Sequence, residues 1–190
     1  MIDPTDITKF DRNEIELQEF FLFCVVVAGK TAVVQAKKLD DFLKPGRIRS
    51  MTPFEYIKGL RDKEHLHHMV CDAKLGIYKR LTHIFEQSLY IDLHNVTMEE
   101  LESIPGIGPK TSRFFVLHSR PEQRIAVLDK HILAWLSEQY PHMTIPLATP
   151  QSISRYRELE SLYLHEAAKR KLKPEILDLQ IWNERARIAA

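Results

Sequence analysis

The strongest constraint on the fold of this chain is the run IPGIGPKT at residues 104–111. Glycine occurs only 6 times in 190 residues, and two of these glycines, Gly106 and Gly108, lie in this run. Pro105 must end a preceding helix, because it lacks an amide donor and restricts the residue before it. Pro109, in contrast, suits the first position of a new helix. The run therefore predicts a short helix, a tight turn and a second helix.

Helical patterns also dominate the rest of the sequence. No stretch alternates apolar and polar residues between turn signals, as a half-buried strand would. We expect an all-α protein in which Gly29 ends the first helix and Pro45-Gly46 stops the second. Thr52 and Thr97 each begin a capping box that opens a helix. The predicted helices span about residues 14–28, 31–43, 52–60, 65–89, 101–104, 109–117, 129–138, 150–171 and 174–185.

Composition narrows the function classes only slightly. The 27 Lys and Arg residues nearly balance 26 Asp and Glu residues, so any basic surface must be local. Cys24 and Cys71 are too few for a disulfide framework or a four-cysteine iron–sulfur cluster, and we expect buried thiols in a reducing compartment. The acidic N-terminus is unlike a signal peptide, and no apolar run approaches about 20 residues. These features predict an intracellular protein that is not inserted in a membrane.

Each residue of the predicted hairpin has a physical reason to be there. Gly106 and Gly108 permit backbone conformations closed to other residues and let a partner approach the chain closely. The following helix offers unpaired N–H groups and a positive dipole end, which suit a DNA phosphate. Ile104 and Ile107 are expected to anchor the turn in the core. The same features also fit an ordinary helical hairpin.

The run at 104–111, followed by VLDKHIL at 127–133, closely resembles the signature of the helix-hairpin-helix DNA glycosylase superfamily. The chain looks closest to the small 8-oxoguanine DNA glycosylase/AP lyase members, which also lack the cluster-binding cysteines of other relatives. The resemblance is specific over residues 97–135 and looser over 14–185. It implies a DNA glycosylase fold without an iron–sulfur cluster or a required cofactor.

The resemblance also implies a domain organisation. Residues 1–190 are expected to form a single glycosylase-like unit with two helical lobes flanking an active-site cleft. One lobe would comprise about residues 30–135, including the hairpin at 97–120. The second lobe would be formed by both termini, about residues 1–29 and 136–190.

In this superfamily the hairpin lysine is the nucleophile and a later aspartate is the second essential group, and Lys110 and Asp129 occupy those places. A helix start and partial desolvation favour the neutral, nucleophilic amine. A carboxylate stabilises oxocarbenium-like charge and can help to move the amine proton. We hypothesise that Lys110 attacks C1′ and expels the base, forming a Schiff base that permits β-elimination. Alternatively, Lys110 binds phosphate and Asp129 caps the following helix, although a cap is compatible with catalysis.

A candidate base pocket lies near the C-terminus. Asp178 and Trp182 are four residues apart and share one helix face. An acceptor beside an aromatic plate suits an extruded purine, and the pairing resembles members that excise 8-oxoguanine. Phe21 is a third candidate for this pocket. In the rival interpretation, Trp182 belongs to the core and Asp178 is a surface or capping residue.

Other residues are candidates for holding DNA or a cation. No side-chain metal site is expected, but by resemblance the main-chain carbonyls of Glu102, Ile104 and Ile107 can hold a monovalent cation. Relatives often place glutamine or asparagine where this chain has Gly29-Lys30, so the residue that fills the gap in the duplex is open. The candidate DNA contacts are Gly106, Gly108, Thr111, Arg113, Lys30 and Lys130.

Together these features imply a base-excision repair enzyme. It would be a DNA glycosylase with AP lyase activity that excises an oxidised base, 8-oxoguanine in the first place. Its partner would be double-stranded DNA containing a damaged base, bound by a monomer. The alternatives are a glycosylase-fold enzyme of DNA base modification and a non-catalytic helix-hairpin-helix module. A non-catalytic module would need neither Lys110 nor Asp129.

Overall fold

The structure, a computed structural model, describes the backbone of residues 1–188 and the side chains of residues 1–185. This part of the chain is built from α-helices and contains no strand, which confirms the predicted all-α class. No helix within it is long and apolar enough to cross a membrane. The helices are α1 Glu14–Val26, α2 Ala32–Ile48, α3 Pro53–Arg61, α4 Leu66–Asp72, α5 Tyr78–Ser88, α6 Met98–Glu102, α7 Pro109–Ser119, α8 Lys130–Gln139, α9 Ile153–Lys169 and α10 Pro174–Ile188.

The chain divides into two compact units. Unit 1 comprises residues 1–7 and 11–115, and unit 2 comprises residues 8–10 and the described residues from 116 onward. This division differs from the predicted lobes, which grouped residues 1–29 with 136–190. Helix α1 is apolar on nearly all sides, so other elements must cover it all round. Helices α2, α3 and α5 provide this cover, and α1 therefore belongs to unit 1.

Unit 1 is organised around α1. This helix contacts α2, α3 and α5 within the unit. The rings of Phe20 and Phe21 lie 6.0 Å and 5.4 Å from the ring of Phe115, measured between centroids. All three side chains are at most 1% exposed. Large aromatic side chains that are buried in this way supply much of the hydrophobic stabilisation of a small core.

Helix α2 continues through Pro45-Gly46 to Ile48, so the prediction that this dipeptide stops the helix is wrong. Tertiary packing overrides the local preference here. Gly46 is buried against Tyr56 of α3, where a Cβ at position 46 would lie 2.7 Å from the Cβ of Tyr56. The glycine therefore allows the two helices to approach each other.

The single helix predicted over residues 65–89 is also wrong, because α4 and α5 are separate helices. Between them lies the Gly76 turn, residues 74–77, in which Lys74, Gly76 and Ile77 have φ angles of 52°, 75° and 47°. The break buries Leu75 completely. Similarly, the helix before the hairpin spans Met98–Glu102 rather than 101–104, because the capping box of Thr97 starts it at once.

Unit 2 contains α8, α9 and α10 around its own core. Tyr156, Leu159 and Tyr163 of α9 are fully buried there. The ring of Trp135 from α8 meets the ring of Tyr163 edge to face, with 6.2 Å between centroids. Ala126 and Leu128, in the segment that precedes α8, belong to the same core.

We expect Gly46→Ala to destabilise the protein. The new methyl group overlaps Tyr56, and overpacking of this kind reduces the free energy of unfolding by about 1–3 kcal/mol. Gly59→Ala is the matched control, because a Cβ there meets only Met51 Cε at 3.7 Å. Since alanine favours a helix over glycine by about 0.5–1 kcal/mol, the control should be neutral or stabilising. Urea unfolding measures both, and equal stabilities would contradict the packing argument.

Candidate active site

The predicted hairpin is formed by α6, a turn and α7. Ile104 and Ile107 anchor the turn with 8% and 5% exposure, and the Ile107 amide donates to the Ile104 carbonyl over 3.0 Å. Gly106 has a φ of 106°, and a Cβ there would lie 2.6 Å from Arg80 Cγ. At Gly108, by contrast, a Cβ would meet nothing within 4 Å. The fold itself therefore requires glycine at 106, whereas position 108 faces open space.

The two helices of the hairpin are joined by the carboxylate of Glu102. It accepts hydrogen bonds from Ser112 Oγ at 2.6 Å and from Arg113 at 3.0 Å. Arg113 is only 5% exposed and also donates to the Pro109 carbonyl. The DNA contact of Arg113 stays a prediction, and in this structure its guanidinium is bound to the hairpin itself. The sequence gives no periodic signal for this pairing.

The predicted cation site at the hairpin carbonyls stays a prediction. The carbonyl oxygen of Ile104 already accepts the Ile107 amide, and a carbonyl has a second lone pair for another partner. Among the described residues, no group of three or more His, Cys, Asp or Glu side chains could hold a metal ion.

Lys110 is the second residue of α7, directly after the glycine turn, and its side chain is half-buried. Its amine lies 5.8 Å from the centroid of the Phe114 ring. Burial raises the pKa of the Cys24 thiol of α1, and the positive charges of Arg12 and Lys110 act in the opposite direction. The charge of the Lys110 amine therefore acts on the buried thiol of α1.

Asp129 lies in unit 2 and is the N-cap of α8. One carboxylate oxygen, Oδ1, accepts the amides of His131 at 2.8 Å and Ile132 at 2.9 Å. The capping role that the sequence left open is therefore present. Because both cap bonds go to Oδ1, the cap does not use Oδ2. Lys130, the first residue of α8, is exposed.

The backbone before Asp129 is held by a tyrosine that sequence reasoning missed. The hydroxyl of Tyr156 donates to the Ala126 carbonyl at 2.8 Å and accepts the Leu128 amide at 3.1 Å. Thr149 Oγ1 donates to the Leu128 carbonyl at 2.7 Å. These bonds join α9 and the loop before it to the segment that carries the aspartate, so Asp129 does not depend on its cap alone.

Asp178 and Trp182 lie one turn apart on α10, as predicted. Asp178 is 6% exposed, and its Oδ2 lies 3.2 Å from Nε2 of His118, which is fully buried. Nδ1 of the same ring lies 2.7 Å from Thr8 Oγ1. Trp182 is half-buried. Sequence reasoning missed both Thr8 and His118, because they lie far from residue 178 along the chain and follow no motif.

The two candidate aspartates of unit 2, Asp129 and Asp178, both act electrostatically on Tyr163. Burial raises the pKa of Tyr163 well above its usual range, and the negative charges of Asp178, Glu175 and Asp129 raise it further. The hydroxyl of Tyr163 donates to the Pro174 carbonyl at 2.7 Å. Both candidate carboxylates therefore lie close enough to one buried tyrosine to act on it electrostatically.

Phe21, the third candidate for the base pocket, lies in the core of unit 1. It is 1% exposed, and its ring meets the rings of Phe54 and Phe115 edge to face. A base can stack on this ring only if these neighbours move away. The sequence did not distinguish this phenylalanine from the other aromatic residues of α1.

A basic surface adjoins the hairpin in unit 1. The Lys30 amine donates to the Leu75 carbonyl, and the Lys38 amine donates to the Lys74 carbonyl. Burial, then the charges of Arg80 and Lys38, lower the pKa of Lys30. We call this the hairpin-side basic surface. It comprises Lys30, Lys38, Lys74 and Arg80, and Arg80 packs over Gly106.

An exposed aliphatic side chain projects beside this surface. Ile77 is 49% exposed and has a φ of 47°. A left-handed conformation is a genuine outlier for a β-branched residue, and such strain persists only where the surrounding structure enforces it. Tyr78, the next residue, is 38% exposed.

The fold is that of a DNA glycosylase. The solved structure of the 8-oxoguanine glycosylase/lyase of Methanocaldococcus jannaschii, in complex with a 15mer DNA containing 8-oxoguanine, matches 93% of this chain and 83% of that chain. The TM-score is 0.68 and the sequence identity is 21%. This similarity confirms the predicted helix-hairpin-helix glycosylase fold.

A curated relative adds similarity at the level of sequence. The 8-oxoguanine DNA glycosylase/AP lyase of Thermoplasma acidophilum is 33% identical over 84 residues. These residues are 44% of this chain and 38% of the relative, so the chain matches less than half of that protein's length. No family model matches the chain. The resemblance inferred from the hairpin is thus supported by both relatives.

We expect Tyr156→Phe to destabilise the protein. Without the hydroxyl, the buried Leu128 amide and Ala126 carbonyl lose a partner, and an unsatisfied buried polar group costs about 1–3 kcal/mol. Tyr90→Phe is the control, because Tyr90 is 76% exposed. Thermal unfolding should give a lower Tm for Tyr156→Phe only. Equal Tm values would show that the hydroxyl does not hold the segment before Asp129.

Proposed function

We propose that this chain is a base-excision DNA glycosylase with AP lyase activity, and that it removes 8-oxoguanine from double-stranded DNA. It would act as a monomer inside the cell. The observation that carries this proposal is the position of Lys110, at the first turn of the helix that follows a glycine turn open to a partner. The names of both relatives, and the lesion-containing DNA bound by the solved one, support the choice of substrate.

The open glycine supports a close approach of DNA. Apart from its immediate chain neighbours, no described residue lies within 4 Å of a Cβ built at Gly108, so there is space there for a phosphate. The first amides of α7 face the same end, where unpaired N–H groups and the helix dipole favour an anion. Thr111, half-buried in the first turn, adds a hydroxyl beside them.

The proposed reaction requires the Lys110 amine to lie beside the extruded nucleotide. The Lys110 amine attacks C1′ while the glycosidic bond breaks, and the base leaves with the bonding electrons and takes a proton. Opening of the sugar ring gives a Schiff base at C1′, which acidifies the C2′ proton. Loss of this proton and of the 3′ phosphate cleaves the strand. The Asp129 carboxylate stabilises the cationic sugar and accepts the amine proton.

The hairpin-side basic surface would hold the DNA backbone, which explains how a protein of net charge +1 binds a polyanion. Ile77 is our candidate for the residue that fills the gap left by the extruded nucleotide. An apolar wedge beside a phosphate-binding surface is typical of proteins that unstack a duplex. This role is consistent with the exposed and strained conformation of Ile77, and it would replace the side chain missing at Gly29.

We expect Lys110→Gln to abolish both base excision and borohydride trapping of a protein–DNA complex. Asp129→Asn should reduce the rate by about 10²–10⁴-fold and leave the fold stable, because asparagine is an equally good N-cap. Lys44→Gln, at an exposed lysine of α2, is the control. The variants are assayed on duplexes that carry 8-oxoguanine, other oxidised bases, an abasic site or no lesion.

Three outcomes would contradict the proposal. Unchanged activity in Lys110→Gln would exclude this lysine as the nucleophile. Binding of every duplex without cleavage would indicate a DNA-binding module. Activity on the undamaged duplex alone would indicate a base-modification enzyme.

We expect the hairpin-side basic surface and Ile77 to make separate contributions to DNA binding. Arg80→Gln keeps the Cγ that packs over Gly106 and removes one phosphate contact, so the slope of log K against log salt should decrease by about 0.9. Ile77→Ala should leave this slope unchanged but lower the fluorescence of a 2-aminopurine placed at the extruded position. Fluorescence anisotropy and 2-aminopurine emission measure the two effects. A wild-type slope in Arg80→Gln would exclude its phosphate contact, and wild-type emission in Ile77→Ala would exclude the wedge.

A further inference from the structure

The Gly76 turn is joined to a distant part of unit 1 by two lysine side chains. The amine of Lys30, which follows α1, donates to the Leu75 carbonyl. The amine of Lys38, in the second turn of α2, donates to the Lys74 carbonyl at 2.9 Å. The partners are 45 and 36 positions apart in the sequence. The Lys30 amine also packs against Gly76, because a Cβ built there would lie 3.1 Å from it.

These two bonds hold the turn on the side that α4 leaves open. The amides of Lys74 and Leu75 donate to the carbonyls of Cys71 and Val70 at the end of α4. The carbonyls of the same two residues accept the lysine side chains. The Leu75 side chain is fully buried. A segment whose amides, carbonyls and apolar side chain are all engaged opens only when several of these interactions are lost.

The residue that leaves this segment is Ile77, which is 49% exposed and has a φ of 47°. A β-branched residue keeps a left-handed conformation only where its surroundings enforce it. On the α5 side, the Leu81 amide donates to the Ile77 carbonyl at 3.0 Å. On the other side, the lysine bonds hold the two residues before Gly76. Both sides are thus fixed, and the isoleucine side chain is left exposed between them.

We propose that Lys30 and Lys38 are positioning residues that hold the Gly76 turn and thereby keep Ile77 projected as a preformed wedge for the duplex. This inference rests on the proposed function, in which Ile77 fills the gap left by the extruded nucleotide. It also gives a role to the departure at Gly29-Lys30. Position 30 would not fill the gap itself, but would hold the residue that does.

A preformed wedge has a physical advantage. Unstacking a duplex costs free energy, and a wedge that must first be ordered adds the entropy of ordering to that cost. The positioning role is compatible with membership of the hairpin-side basic surface. An ammonium group has three N–H donors, so a bond to a carbonyl leaves two for a phosphate.

The first test uses the free protein. Lys30→Met and Lys38→Met keep most of the side-chain length and remove the donors. We expect them to speed hydrogen exchange of the Lys74 and Leu75 amides about tenfold, the equivalent of one lost hydrogen bond to a charged group. Lys38→Arg retains a donor and should restore protection. Lys37→Met, at an exposed lysine of the same helix, removes the same charge and should leave exchange unchanged.

The second test uses saturating protein with two duplexes, one with 2-aminopurine at the extruded position and one with 8-oxoguanine. Lys30→Met and Lys38→Met should lower 2-aminopurine emission towards the Ile77→Ala value and slow 8-oxoguanine excision about tenfold. Lys37→Met should change neither. In an Ile77→Ala background, the Lys30 and Lys38 substitutions should slow excision by less than about twofold more, because the lysines act through Ile77.

Two results would overturn the inference. One is wild-type exchange of the Lys74 and Leu75 amides in both methionine variants. The other is an equal effect of the lysine substitutions with and without Ile77, together with a loss of salt dependence, because the lysines would then be phosphate contacts only. If the wild type neither raises 2-aminopurine emission nor cleaves the 8-oxoguanine duplex, the proposed function itself fails. That outcome is distinct, since the exchange measurement needs no DNA.

Discussion

The hydrogen bonds from Ser112 and Arg113 to the carboxylate of Glu102 are the interaction on which the hairpin depends. They hold the last residue of α6 against the first turns of α7 and thereby fix the direction in which α7 starts. The position of Lys110 follows from that direction. The guanidinium of Arg113 is buried and the carboxylate of Glu102 is half-buried, so the two opposite charges offset each other within the hairpin.

In unit 2 the carboxylates of Asp129 and Asp178 are positioned by other interactions. Asp129 is restrained by the amides that it caps and by the Tyr156 hydroxyl, which holds the backbone before it. Asp178 is restrained by His118. Each carboxylate is thus restrained by its neighbours, and under the proposed function this restraint would reduce the reorganisation that binding and chemistry require.

The sequence predicted the features that depend on local signals. The helical class follows from local caps and helical spacing. The hairpin, Lys110 and Asp129 lie in short runs whose residues act on their immediate neighbours. The break at the Gly76 turn was missed, because its apolar residues keep helical spacing across it. Glu102 with Arg113 and Thr8 with His118 were also missed, since these pairs form only when distant segments pack together. Pro45 shows the opposite error, because the packing of Gly46 on Tyr56 outweighed a strong local signal.

The two glycines of the hairpin are subject to different evolutionary constraints. Gly106 is required by its backbone conformation and by Arg80, so any descendant that keeps this fold must keep it. Gly108 has neither requirement, and a methyl group there would leave the folded protein undisturbed. Only a partner that touches the turn can hold this position as glycine. Among descendants of this chain, drift at Gly108 with Gly106 retained would therefore mark a lineage that has kept its fold and abandoned its partner.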